Sequence, residues 1–155
     1  ATKTKVDGET AMALTDSDFL GTLAEADAYF GDRLHETDWF EQTDEKKQKA
    51  LFAATRAIKR LKFLSTVTVS ETSASTPEDV EQACYEEAHS RLMGKDPDRE
   101  YENLTLSSEN CGPSSTSFDT ASPGQDHIIN GITSWTAWNL LRVHLDNSIH
   151  FDIIP

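Results

Sequence analysis

The stretch DEKKQKALFAATRAIKRLKF, residues 44–63, decides the fold. Leu51, Ala54, Ile58 and Leu61 recur at three- and four-residue spacing, flanked by Ala50 and Ala57, and so make one apolar face of an α-helix. Thr43 stands at the N-cap position, and Asp44 and Glu45 complement the helix dipole in the first turn. The opposite arc carries Lys49, Arg56, Lys59 and Arg60, with Phe52 and Phe63 among them and Lys62 nearer the edge of the seam. Seven of the chain's 14 Lys and Arg fall in this stretch against two acids. The stretch is therefore +5 in a chain of net charge −13, which leaves −18 for the rest.

Helices are expected on both sides of it. Upstream, TLAEADAYFGDRL (22–34) has Thr22 as N-cap, Glu25 to complete a capping box, and Leu23, Ala26, Phe30 and Leu34 on one face. HETDWFEQ (35–42) reads as a connector anchored by Trp39 and Phe40. Downstream, after the Ser/Thr-rich link STVTVSETSAST (65–76), TPEDVEQACYEEAHSRLMG (76–94) predicts a third helix. Thr76 is its expected N-cap, Pro77 its first residue and Gly94 its stop. Its apolar face is Val80, Ala83, Cys84, Ala88 and Leu92. Glu78, Asp79 and Glu86 are expected to point away from that face, with Glu81 and Glu87 at its margins.

After Gly94 the periodicity fades. SSENCGPSSTSFDTASPGQD (107–126) is rich in Ser, Pro and Gly, and Asn130-Gly131 in HIINGITS is a hairpin-turn signal. SWTAWNLLRVHL (134–145) predicts a closing helix with Trp135, Trp138, Leu141 and Leu145 along one side. In SIHFDIIP (148–155), Ile149, Phe151 and Ile153 alternate with His150 and Asp152, a strand pattern with no sister strand nearby. The expected fold is mainly α: a small helical bundle with a long, partly β arm and an extended C-terminal tail. Its parts are a flexible lead (1–17), a helical core (18–94), an extended arm with a hairpin (95–133), the closing helix (134–146) and a strand-like tail (147–155).

The 155 residues suit one domain with arms, and 37% hydrophobic content leaves some segments in need of partners. No apolar run reaches membrane-span length, and the N-terminal residues lack the apolar run of a signal peptide. The acidic balance argues against a general nucleic-acid coat or an anionic membrane surface. Cys84 and Cys111 make no metal or redox spacing, and the five His form no ligand set. Cys84 and His89, five residues apart on a helix, would point away from each other, so a catalytic pair is not expected. No nucleophile elbow, phosphate-cradling glycine loop or dinucleotide fingerprint occurs. No enzyme activity, metal or cofactor is expected.

The basic stripe Lys49, Arg56, Lys59 and Arg60 has three readings: a solvated face paired with its own acids, a nucleic-acid track aided by Phe52 and Phe63, or a surface complementary to an acidic one. The third is preferred because it uses both charge excesses. The basic helix of one copy would face Glu78, Asp79, Glu81, Glu86 and Glu87 of the next, head to tail, and close a ring. Ile149, Phe151 and Ile153 would dock on a partner, as a strand added to a sheet edge does.

AEADAYFGDRL (24–34), KALFAATRAIKRLKF (49–63) and PEDVEQACYEEAHSRL (77–92) follow one another at a spacing that resembles the head–tail connector (adaptor) proteins of long-tailed bacteriophages. That family is often catalogued as primosomal-type single-stranded-DNA-binding proteins. The likeness covers about residues 22–93, and SENCGPSSTSF and SWTAWNLLRVHL are similar to later family segments. Relatives often carry a Pro-Arg pair before the third helix, whereas Pro77 here has no neighbouring Arg. The resemblance implies a dodecameric ring beneath the portal protein in the virion neck, assembled in the host cytoplasm. It also implies a channel for double-stranded DNA and contact with the next neck or tail-terminator protein. The alternative is a single-stranded-DNA-binding replication protein.

Overall fold

The computed structural model describes residues 2–6, 9–34, 36–72, 74–105, 108–111, 114–117 and 126–146. They are mainly helical. The helices are α1 (Leu23–Gly31), α2 (Thr37–Phe40), α3 (Asp44–Ile58), α4 (Glu78–Leu92), α5 (Pro97–Thr105), α6 (Asp126–Ile129) and α7 (Trp135–Leu141). Single 3-10 turns lie at Asp16–Asp18 and Arg142–His144. Strands β1 (Thr2–Val6) and β2 (Glu9–Ala13) pair antiparallel, as do β3 (Ser108–Cys111) and β4 (Ser114–Ser117).

The opening stretch forms the helix its spacing predicts. The Thr43 hydroxyl accepts from the Lys46 N–H, and Leu51, Ala54 and Ile58 are fully buried. Helix α4 lies at the centre, in contact with α1, α3 and α7. Around it one core gathers Phe19 and Leu20 from before α1, Phe30, Trp39, Leu51, Ile58, Val80, Cys84, Ile132 and Leu141. Buried polar groups cross-link this core. The Thr55 hydroxyl accepts from the Leu20 N–H at 3.0 Å and stands 3.3 Å from Cys84 Sγ. Gly21 holds φ +72° beneath Tyr85, and a Cβ there would lie 2.0 Å from the tyrosine hydroxyl.

Several expectations are corrected. The first helix ends at Gly31, so Leu34 lies past its last turn and is exposed. Trp39 anchors the connector, whereas Phe40, its neighbour on a short helix, is half exposed. Pro77 rather than Thr76 caps α4; Thr76 is buried and donates instead to the Ser70 carbonyl, tying down the link. Within the expected lead (1–17), β1 and β2 pair antiparallel with Val6 opposite Glu9, and the 3-10 turn Asp16–Asp18 follows them.

The described part of 95–133 is not a long extended arm. Pro97 opens α5, with Asp98 and Glu100 in its first turn, and Asp96 Oδ1 accepts from the Asp98 N–H. Asn130-Gly131 does not turn a hairpin. Gly131, at φ +81°, closes α6: its N–H donates to the Ile128 carbonyl and that of Ile132 to the His127 carbonyl, a Schellman pair. In α7 the buried residues are Ala137 and Leu141, while Trp135 is half exposed. Beyond α7 the chain runs back past the end of α3, with Leu145 bridged to Phe63.

Candidate interaction site

The basic stripe divides into two parts. Lys49 is paired with Glu45 one turn earlier at 2.5 Å, and Lys59 with Glu71 of the link at 2.7 Å. Partial burial is the largest single influence and would raise the Glu71 carboxyl, but the hydrogen bond from Lys59, a backbone hydrogen bond and the Lys59 charge together outweigh it and hold the group below the usual carboxylate range. Half the stripe is thus neutralised within its own chain. Arg56 and Arg60 are exposed; Arg56 lies 5.8 Å from the Phe52 ring centre. Together these two arginines line a hollow of about 340 Å³, whose other walls include Arg91, Asp96 and Asp98.

The acidic face divides as well. Glu78 and Asp79 are exposed and Glu81 is half-buried, as expected of a surface. Glu86 and Glu87 are buried, which corrects their assignment to a subunit interface. Helix α4 is covered on more than one side, so residues placed outside its apolar face still fall inside the fold. Glu86 accepts from the Tyr29 hydroxyl at 2.6 Å and is paired with Arg33. Glu87, fully buried, accepts from Arg91 Nε at 2.8 Å and from the N–H groups of Thr133 and Ser134 at 2.9 Å each. Ser134 caps α7, so this carboxylate sits at the positive end of that helix. Its position was legible: Val80, Cys84, Glu87 and Arg91 share one helical face, with Arg91 placed four residues on to pair with it.

A groove of about 660 Å³ between α1 and α4 gathers Glu25, Asp32, Glu78 and Glu81 over Tyr29 and Tyr85. Sequence reading missed it because its walls come from two helices far apart in the chain. Burial, then the charges of Glu25 and Glu78, push the Glu81 carboxyl up. Lys47 was also missed. It is buried, 3.0 Å from Asp27 Oδ1 and 5.4 Å from the Trp39 ring centre, and that same oxygen accepts from Trp39 Nε1 at 2.7 Å.

Cys84 is buried with its thiol pushed up to about 12 by burial, and it points to Thr55 and the Leu51 carbonyl. His89 lies instead against Phe30 and Glu36. Among the described residues no group of His, Cys, Asp and Glu is arranged to hold a metal ion, and no helix is long and apolar enough to cross a membrane. Ile149, Phe151 and Ile153 lie outside the described residues. No protein-family model, curated relative or solved structure matches the chain.

Proposed function

We propose that the chain is a structural subunit of a bacteriophage particle: a ring-forming head–tail connector that joins the portal protein to the neck or tail and continues the DNA channel. The observation that carries this is the separation of charge on one helical core. Arg56 and Arg60 border one hollow; Glu25, Asp32, Glu78 and Glu81 border another; the two share no lining residue. Copies arranged head to tail would bring the first against the second, and such an arrangement forms a ring when the rotation between copies closes. Without Glu86 and Glu87 the expected acidic face keeps Glu78, Asp79 and Glu81, and in the groove Glu25 and Asp32 join Glu78 and Glu81. The helix order that resembles connectors supplies the expectation of a dodecamer, of the portal and the next neck protein as partners, and of a virion location. A wall of net negative charge would let double-stranded DNA slide without sticking.

Purified particles of the encoding phage, analysed by mass spectrometry, test the proposal. The chain should be present in fixed ratio to the portal protein, and its absence from particles would refute it. A single-stranded-DNA-binding role is favoured only by Arg56 lying over the Phe52 ring, 5.8 Å from its centre. Against it, Lys49 and Lys59 are engaged by acids of their own chain, and Asp96 and Asp98 share the hollow of Arg56 and Arg60. Oligonucleotide titration at low salt would favour that second role if binding were tight and fell steeply as salt rose.

A further inference from the structure

We propose that the groove between α1 and α4 receives Arg56 and Arg60 of a second copy of the chain only while Glu81 is ionised, so that acid releases the contact. The inference rests on the subunit reading above and adds the group that regulates the contact. The groove, at about 660 Å³, is the size of a ligand cleft. Its walls carry Glu25, Asp32, Glu78 and Glu81, with Tyr29 and Tyr85, whose ring centres stand 5.7 Å apart at 52°. Among the described residues none of these four carboxylates is paired with a cation. Arg33, 5.4 Å from the Tyr29 ring centre, is taken by Glu86 and Glu36. Arg56 and Arg60, exposed one turn apart at the end of α3, likewise have no ion-pair partner among the described residues, although Asp96 and Asp98 border the same hollow. The groove and the hollow share no lining residue, so the match is made between copies. Arginine suits it: a planar guanidinium lies on a tyrosine face and gives two parallel donors to a carboxylate.

Glu81 is the point of control. It is half-buried and shares the groove with Glu25 and Asp32 from the α1 side and Glu78 from its own helix, while the link adds only the uncharged Ala74 and Thr76. Burial, then the charges of Glu25 and Glu78, push its carboxyl above the ordinary value of 4.5. Its contribution to the stability of the single chain is therefore complete below pH 4.5 and is lost as the pH rises through the raised value. A guanidinium in the groove supplies the missing countercharge and opposes that push, so docking expels a proton held by Glu81. By linkage, acid works against docking.

Sedimentation of the full chain tests this. At pH 7.5 and low salt the chain should self-associate with rising concentration, and the association should weaken about threefold or more at pH 5.0. Histidine protonation over that range makes the chain less negative and would strengthen association, so the sign of the change separates the two causes. Glu81→Gln should raise the urea midpoint of the dilute chain at pH 7.5, yet weaken association there and remove most of its pH dependence. Arg56→Glu with Arg60→Glu should abolish self-association, as should Glu78→Arg with Glu81→Arg, and an equimolar mixture of the two variants should associate again. A chain that stays monomeric at millimolar concentration, an association that acid leaves unchanged or strengthens, or a mixture of folded variants that stays monomeric would each overturn the inference. Particles containing the chain would keep the connector role after any of these failures; particles without it would remove that role and leave this contact standing.

Discussion

Glu87→Ala removes the carboxylate that joins α4 to α7. Arg91 Nε at 2.8 Å and the N–H groups of Thr133 and Ser134 at 2.9 Å each lose their acceptor, whereas the Thr133 hydroxyl keeps the Ser90 hydroxyl at 2.8 Å. Leaving one buried N–H unsatisfied costs about 1–3 kcal/mol. Removing one member of a buried ion pair costs roughly 3–5 kcal/mol, and the Arg91 side chain is only 20% exposed. These losses overlap, so the expected destabilisation is about 4 kcal/mol, a large part of the roughly 5–15 kcal/mol that holds a domain folded. At about 2–4 °C per kcal/mol for a chain of this size, Tm should fall by roughly 8–16 °C. Thermal and urea unfolding followed by far-UV circular dichroism measure it. Glu87→Gln keeps the shape and one acceptor oxygen and should lose about half as much. Combining Glu87→Gln with Arg91→Met should cost less than the sum of the two single changes, because neither partner is then left alone. A loss under about 1 kcal/mol in the isolated chain for Glu87→Ala would refute the reasoning and return the residue to an exposed role.

Other outcomes follow from the core. Gly21→Ala combines a left-handed φ with a clash on Tyr85 and should cost about 2–4 kcal/mol by urea unfolding, with only partial relief from Tyr85→Phe because ring carbons also lie within 3.0 Å. Thr55→Val keeps the volume but strands the Leu20 N–H, for a loss of about 1–3 kcal/mol in the same assay. In a Cys111→Ser background, Cys84 should resist alkylation at pH 8 until urea is added. Its folded pKa, about 12, lies above its ordinary value of 9.0, so its contribution to stability is complete below pH 9 and is lost as pH rises toward 12. Urea midpoints between pH 8 and 10 should therefore fall with pH in that background and less so when Cys84 is also replaced by Ala.

The helices were legible where periodicity and caps agreed. Thr22 and Thr43 cap the helices they were expected to cap, and Gly94, at φ +85°, ends α4 as its position predicted. Helix α5 was missed because its apolar side is only Pro97, Tyr101 and Leu104 in a short polar sequence, although Pro97 and the acids after it are a start signal. Asn130-Gly131 was misread because a glycine with positive φ serves a hairpin and a helix end equally well, and only the residues before it decide between them. The interaction surfaces were half legible. Composition reveals that Arg56, Arg60, Glu78 and Glu81 are abundant charge. It does not reveal that Lys59 finds Glu71, that Glu87 finds the start of α7, or that Glu25 and Glu81 face one groove, because each depends on elements brought together from distant parts of the chain.

The Glu87 junction also bears on synthesis. Helices α3 and α4 are complete once residue 92 has been made, but the N–H groups that cradle the α4 carboxylate arrive only with residues 133 and 134. At about 5–20 residues per second, a ribosome needs several seconds to bridge that interval. During it the nascent chain carries an anion whose backbone donors have not been made, so the side of α4 that α7 later covers stays in water. The last helix therefore acts as a latch on α4, and nascent chains stalled before it should remain open to protease on that side.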